Sequence, residues 1–166
     1  MTGTEGRNVV VSATKRYVCD DRHRLRLFDA VGQEVRRVSE LLREERFSVT
    51  AGWSDDELRK RVPAFEEVVA DLCRVEALLA RWGGDAATET LTLPIRRTCD
   101  GLNNGSGNSG WLELQWYPVL VLLYAGGIAA VSAGRYHALG ALLHAPVRAS
   151  GKDQPLVTAV TDEMHD

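Results

Sequence analysis

The sequence feature that most constrains the fold is an uncharged, hydrophobic segment in the second half of the chain. It runs from Leu114 to Gly134 and spells LQWYPVLVLLYAGGIAAVSAG, without one Asp, Glu, Lys or Arg. About 20 consecutive apolar residues are enough for a helix to cross a bilayer. A helix that is apolar all round is found either in a membrane or in the core of a larger fold. The segment therefore predicts a membrane span or a buried helical hairpin.

We expect the buried hairpin, with both arms in a water-soluble fold. Pro118 and the adjacent Gly126 and Gly127 interrupt the segment, and no basic belt flanks its N-terminal side. Gly134 followed by Arg135 supplies a turn at the point where a spanning helix should meet the lipid headgroups. The alternative that stays open is a membrane-active protein that inserts residues 114–134.

Composition excludes several classes of function. The chain has 166 residues and a net charge of -3, so it lacks the basic surface that nucleic-acid-binding proteins need. Its three cysteines, Cys19, Cys73 and Cys99, share no short spacing, which indicates reduced thiols rather than a disulfide framework or a zinc site. The apolar run at residues 9–11 is too short for a signal peptide. These features predict a cytoplasmic protein with no cofactor and no bound metal.

Two long amphipathic helices are predicted in the first half of the chain. Between Asp21 and Arg46, apolar residues recur every three or four positions and form one helical stripe. The stripe consists of Phe28, Val31, Val35, Val38 and Leu42, widened by Leu25 and Leu41. Glu34 is placed on the opposite, charged face, and Gly32 marks a weak point or a close helix crossing.

The start of the second long helix has the clearest local signal in the sequence. Ser54 and Glu57 have capping-box spacing, and Trp53 and Leu58 stand at the two positions of a hydrophobic staple. Pro63 predicts a kink, or a short helix before the longer one. The buried stripe is then predicted to comprise Val62, Phe65, Val68, Val69, Leu72, Val75, Leu79 and Trp82.

The hairpin itself is predicted to begin or kink at Pro118, to turn at Gly134, and to return through a second helix over 135–144 that Pro146 stops. One side of its first helix is a flat surface of small residues: Gly126, Gly127, Ala129, Ala130 and Ala133. The second helix is expected to turn four residues inward: Tyr136, Leu139, Leu142 and Leu143.

The remaining segments have weaker patterns. For 85–100 we favour a short helix over a strand at 90–93 that Pro94 would end. Residues 1–20 are expected to be poorly structured, 101–110 to form a flexible loop and 149–166 to form a loose tail, with a short helix or strand at 156–160. The predicted fold is all-α, an antiparallel helical bundle of four to six helices with a buried hydrophobic hairpin, in a single domain over 1–166.

The predicted hairpin resembles that of a tetratricopeptide repeat. Gly127, Gly134, Tyr136 and the pair Ala138-Leu139 correspond to the small-residue and Gly-x-Tyr positions around the turn of such a repeat. The resemblance covers one hairpin and implies a closely packed pair of antiparallel helices.

A second resemblance rests on the segment from Trp116 to Tyr136 together with Ser54 to Arg61. These segments are similar to helical regions of actinobacterial multidomain proteins, some of which carry sirtuin-like or nucleoside-triphosphatase effector modules and are linked to anti-phage defence. The resemblance implies a helical part of a larger bacterial effector, and the sequence of this chain contains neither effector motif.

Catalytic and metal-binding patterns are weak. His137 and His144 lie seven residues apart without the intervening Glu of a zincin-like motif, so they leave open only a small ligand- or metal-binding helical enzyme. Cys99, beside Arg96 and Arg97, is a candidate for a thiol of lowered pKa. The glycine-rich loop lacks the Gly-Lys-Ser/Thr ending of a phosphate-binding loop. We therefore predict no catalytic, cofactor-binding or metal-binding residues.

The predicted function is that of a non-catalytic helical interaction or scaffolding domain, which binds a protein partner or a second copy of itself. Large aromatic residues are the usual anchors of protein interfaces, and small residues allow a close approach. The candidate interaction residues are Trp53, Trp111, Trp116, Gly126, Gly127, Ala130 and Tyr136.

Overall fold

A computed structural model describes residues 9–102, 107–149 and 151–163, and their fold is all-α, as the sequence predicts. The helices are α1 (Val9–Tyr17), α2 (Arg24–Leu41), α3 (Asp55–Trp82), α4 (Thr88–Asp100), α5 (Ser109–Leu114), α6 (Tyr117–Ser132), α7 (Tyr136–Leu143) and α8 (Leu156–Glu163). A small antiparallel pair of strands, β1 (Pro146–Ala149) and β2 (Lys152–Pro155), precedes α8. The helix predicted over 85–100 is confirmed as α4.

Helix α3 is the central helix of the bundle and packs most extensively against α6. Its N-terminus is fixed by Ser54, whose Oγ accepts a hydrogen bond from the Glu57 N–H at 3.2 Å. The helix then continues without a break through Pro63, so of the two outcomes predicted there, a kink or a division, the division into two helices is wrong. Pro63 is exposed near the start of α3, where the ring faces solvent rather than a packed neighbour.

The hairpin of α6 and α7 is confirmed, with its turn at Gly134. Gly134 has a φ of +67°, and its N–H donates to the Val131 carbonyl at 3.0 Å. The Arg135 N–H donates to the Ala130 carbonyl at 2.8 Å. These two bonds and the left-handed glycine form a Schellman motif, which ends α6 and reverses the chain into α7.

Helix α4 lies between α2 and the α6–α7 hairpin and also contacts β1. Most of its length is buried, including the residues 90–95. Pro94 inside the helix removes one backbone donor, and the Thr98 hydroxyl donates to the Pro94 carbonyl at 2.8 Å one turn later. Tertiary burial thus holds a sequence of β-branched residues and proline in a helix.

Both ends of the described chain are more ordered than the sequence predicts. Helix α1 buries Val10 and Val11 against α2 and α3, so the expectation of a poorly structured N-terminus is wrong for residues 9–17. At the other end, the helix that was one of the two alternatives predicted at 156–160 is confirmed as part of α8, whose Leu156 and Ala159 are fully buried. The strand pair and this buried helix replace the loose tail predicted around it. Residues 1–8, 103–106, 150 and 164–166, on which parts of these predictions fall, lie outside the described residues.

Several predicted orientations are also wrong. Leu25, Trp82 and Tyr136, all expected on buried faces, are exposed, whereas Glu34, expected on the charged face, is buried and forms an ion pair with Arg37. Helical periodicity defines which residues share a face, but the width that a neighbouring helix covers depends on the tertiary arrangement.

Candidate interaction surface

The most unusual surface of the described chain is the outer side of α6. Tyr124, Ile128 and Val131 are spaced four and three residues apart, so they lie on one helical face, and they are 66%, 64% and 50% exposed. Tyr136, the first residue of α7, is 69% exposed just beyond the same turn. We call these four residues the outer surface. Exposed large side chains such as the three on this face of α6 are characteristic of interaction sites.

The inner side of α6 is fully occupied by the bundle. Val119, Leu122 and Ala130 are completely buried, and Gly126 is buried beside α3 and α7. Because α6 carries apolar residues on both sides and no charged side chain, its outer surface lacks the polar residues that normally face water. The orientation of α6 is therefore fixed by its inner side, and the outer surface remains uncovered.

Polar contacts mark the two ends of α6. At its N-terminus the Tyr117 hydroxyl donates to a Glu66 carboxylate oxygen of α3 at 2.5 Å, and this hydrogen bond raises the pKa of Tyr117. An exposed Glu113 precedes the helix, and Arg135 follows it in the turn. The apolar outer surface thus lies between an acidic end and a basic end.

The three tryptophans predicted as interaction residues lie in the packed interior or at its edge. Trp111 is buried, its indole N–H donates to the Ala51 carbonyl at 2.9 Å, and the Trp53 ring packs against it with centroids 4.3 Å apart. The Arg61 guanidinium lies 4.0 Å above the Trp111 ring and donates to the Ser48 carbonyl at 2.8 Å. Trp53 remains 44% exposed. This cluster holds the connector between α2 and α3 against α5.

Trp116 and the small residues also face inward. Trp116 is buried in the core, as is Ala130. A Cβ at Gly126 would lie 2.8 Å from Cδ1 of Leu142, and one at Gly127 would lie 3.6 Å from Cδ1 of Leu139. The small residues therefore allow α7 to approach α6. The side of α6 that we expected to receive a partner is covered by α3 and α7, and Tyr136 is the predicted candidate that belongs to the outer surface.

Sequence reasoning missed Tyr124, Ile128 and Val131. A signal for them is present, because large residues recur at 117, 121, 124, 128 and 131, opposite the small residues. With both sides apolar, the pattern defines two faces without indicating which of them is buried.

The interior contains one anomalous carboxyl group. Glu76 of α3 is completely buried, and both of its carboxylate oxygens are without a hydrogen-bond partner in the described part of the chain. Burial raises the pKa of Glu76 well above its usual value. Burial therefore favours the neutral form of Glu76 and makes the group inaccessible to a substrate.

The structure does not gather the predicted reactive residues into a site. His137 lies 3.9 Å from the exposed Asp85, while His144 bonds to the backbone of Gly140. Burial raises the pKa values of Cys73 and Cys99 to about 12, so the expectation of a lowered pKa at Cys99 is wrong. The described residues include no group of three or more His, Cys, Asp or Glu that could hold a metal ion.

Two neighbouring clefts lie along α2, with volumes of about 450 and 490 Å³. They share Ser39, Arg43 and Gly101 in their walls. Their polar side chains are mostly exposed surface groups, and none of the strongly perturbed acids or thiols lies in them.

Among the described residues, one helical stretch, Ser109–Ser132, is long and apolar enough to cross a membrane by length and composition. One third of the most hydrophobic part of this stretch is buried inside the protein. Core helices of soluble proteins can have the same length and apolar composition. No family model matches this chain, and neither a curated protein nor a solved structure matches it.

Proposed function

We propose that this chain is a non-catalytic helical interaction domain that binds another protein through the outer surface of α6 and the start of α7. The observation that supports the proposal most strongly is the exposure of Tyr124, Ile128 and Val131 on a helix whose opposite side is locked in the core. Burying apolar area that already faces water is favourable by about 25 cal/mol per Å². A partner that covers the outer surface gains this free energy without unfolding the bundle.

A protein partner is favoured over a lipid bilayer by the surroundings of α6. Insertion of residues 114–134 would remove Val119 and Leu122 from the core and break the hydrogen bond between Tyr117 and Glu66. The acidic Glu113 and Glu66 at one end of the helix and the net charge of -3 would also repel anionic headgroups. These costs are absent when a protein docks on the outer surface.

The same proposal includes a place for the domain in a larger bacterial assembly, such as an effector or defence protein. The support is the resemblance of the segment from Trp116 to Tyr136, which contains α6, and of Ser54 to Arg61, at the start of α3, to helical regions of such proteins. In that setting the domain would connect a partner to an effector module, without performing chemistry itself.

The proposal is tested by placing the photoreactive residue p-benzoylphenylalanine at position 128, on the outer surface. The matched control carries it at position 33, because Gln33 is an exposed residue of α2 on another side of the bundle. Irradiation in cells is expected to give a protein adduct at position 128 in large excess over position 33. Adducts with lipid alone at position 128, or equal adducts at both positions, would contradict the proposal.

A further inference from the structure

We propose that the partner of the outer surface is a second copy of this chain, paired antiparallel across a two-fold axis near Tyr124. This inference rests on the proposed function, because it assigns the occupant of the surface described there. Three features support it, namely the spacing of the large residues, the distribution of charge along α6 and the size of the uncovered area.

The spacing of large residues along α6 fits a helix-to-helix contact. Tyr117, Val121, Tyr124, Ile128 and Val131 follow one another at intervals of four, three, four and three residues. This is the heptad spacing that keeps one stripe of a helix in contact with a partner helix. The two residues nearest the N-terminus of α6 are half-buried, and the other three are exposed, so the stripe emerges from the bundle toward the centre and C-terminal end of the helix.

The charges at the ends of α6 determine the direction of pairing. Glu113 stands eleven residues before Tyr124, and Arg135 stands eleven residues after it. Glu113 therefore lies beyond one end of α6, and Arg135 lies in the turn beyond the other end. An antiparallel pair centred on Tyr124 places the acidic end of each α6 beside the basic end of the other copy, whereas a parallel pair brings like charges together. Antiparallel helices also align their dipoles favourably. The residues between these two charges are uncharged, so no like charges face each other across the two-fold axis in this stretch.

The uncovered area fits a weak dimer. Tyr124 and Tyr136 are each about two-thirds exposed, which corresponds to roughly 100–170 Å² apiece. With Ile128 and Val131, the two copies would remove on the order of 1,000 Å² from water, near the lower end of specific interfaces. We expect a dissociation constant in the micromolar range, so that the monomer and the dimer exchange.

Cysteine cross-linking tests both the partner and the register. The background is Cys19→Ser, which removes the exposed native thiol, while the thiols of Cys73 and Cys99 are largely buried. Antiparallel pairing about Tyr124 places residue 120 beside residue 128 of the other copy. Tyr124→Cys is therefore expected to form an interchain disulfide, and a mixture of Leu120→Cys and Ile128→Cys is expected to cross-link several-fold faster than either variant alone. The control variant Gln33→Cys, on α2, measures the rate of cross-linking that results from random collision.

The outcomes separate this inference from the proposed function. Cross-linking of Tyr124→Cys no faster than Gln33→Cys would overturn the second copy as the partner. Self-linking of Ile128→Cys as fast as the mixture would overturn the antiparallel register. If position 128 then still forms a photoadduct with a different protein, the interaction domain stands and only the dimer falls. If neither experiment gives a protein adduct, both proposals fail. Circular dichroism of each variant confirms that the helices are intact.

Discussion

Glu76 of α3 lies directly opposite Gly126 of α6, in the most extensive helix contact of the bundle. A Cβ built on Gly126 would be 3.7 Å from the Cβ of Glu76. The glycine lets the two helices approach, and that approach excludes water from the carboxyl group, which has no partner among the described residues. The close contact at Gly126 is thus part of the packing that buries Glu76 and raises its pKa.

We predict that replacing Glu76 by leucine stabilises the protein. An unpartnered buried polar group costs about 1–3 kcal/mol, and leucine fills a similar volume without that cost. Urea denaturation at pH 7 is expected to show a larger free energy of unfolding for Glu76→Leu by about this amount. A loss of stability in this variant would mean that the carboxyl group has a bonding partner in solution.

Stability should also depend on pH through Glu76. Its pKa is raised in the folded state, so the native protein binds more protons than the unfolded chain between the ordinary value of 4.5 and the raised value. The contribution of Glu76 protonation to the free energy of unfolding is fully present below the pKa of the unfolded chain, and it is lost as the pH rises through the pKa of the folded protein. Glu76→Gln keeps a polar group but cannot titrate. From pH 5 to pH 8 the free energy of unfolding of the wild type should therefore fall relative to that of Glu76→Gln. A difference between the two proteins that does not change with pH would contradict the raised pKa of Glu76.

Two glycine substitutions are expected to have opposite effects. A side chain at Gly126 meets the buried Leu142, so Gly126→Val should lower the free energy of unfolding by about 1–3 kcal/mol. Gly32, on α2, has open space around it, and Gly32→Ala should raise stability by about 0.5–1 kcal/mol because alanine is the better helix former. Thermal unfolding of both variants measures the effects. If both substitutions changed stability in the same direction, the close approach of α6 and α7 at Gly126 would be contradicted.

Arg61 should be a structural residue, although it is charged. Its guanidinium stacks on Trp111 and bonds to the Ser48 carbonyl, and burial lowers its pKa. Arg61→Ala is expected to lower stability by about 1–3 kcal/mol, because it leaves this carbonyl and the indole face without their partner. Arg59→Ala, two residues away and mostly exposed, is the control and should change little. Chemical denaturation followed by tryptophan fluorescence distinguishes them, and a neutral effect of Arg61→Ala would show that the cluster is not structural.

The sequence predicted those features that depend on neighbouring residues. The cap at Ser54, the turn at Gly134 and the helical class follow from local hydrogen bonding and periodicity. The buried position of Glu76 escaped prediction although it lies four residues after Leu72, on the buried stripe, because an acidic residue is normally assigned to solvent. The outer surface escaped prediction because α6 is apolar all round, and only the placement of α3 and α7 decides which side is covered.

If the outer surface is open in the single chain and covered on association, as proposed, hydroxyl-radical footprinting detects the change directly. At low-micromolar concentration, Tyr124 and Tyr136 should oxidise readily while the buried Trp111 is protected. On concentrating the protein, oxidation of Tyr124 should fall several-fold while that of Trp53, in a different part of the surface, stays constant. A Tyr124 that is already protected in the dilute protein, or whose oxidation does not change with concentration, would contradict the account.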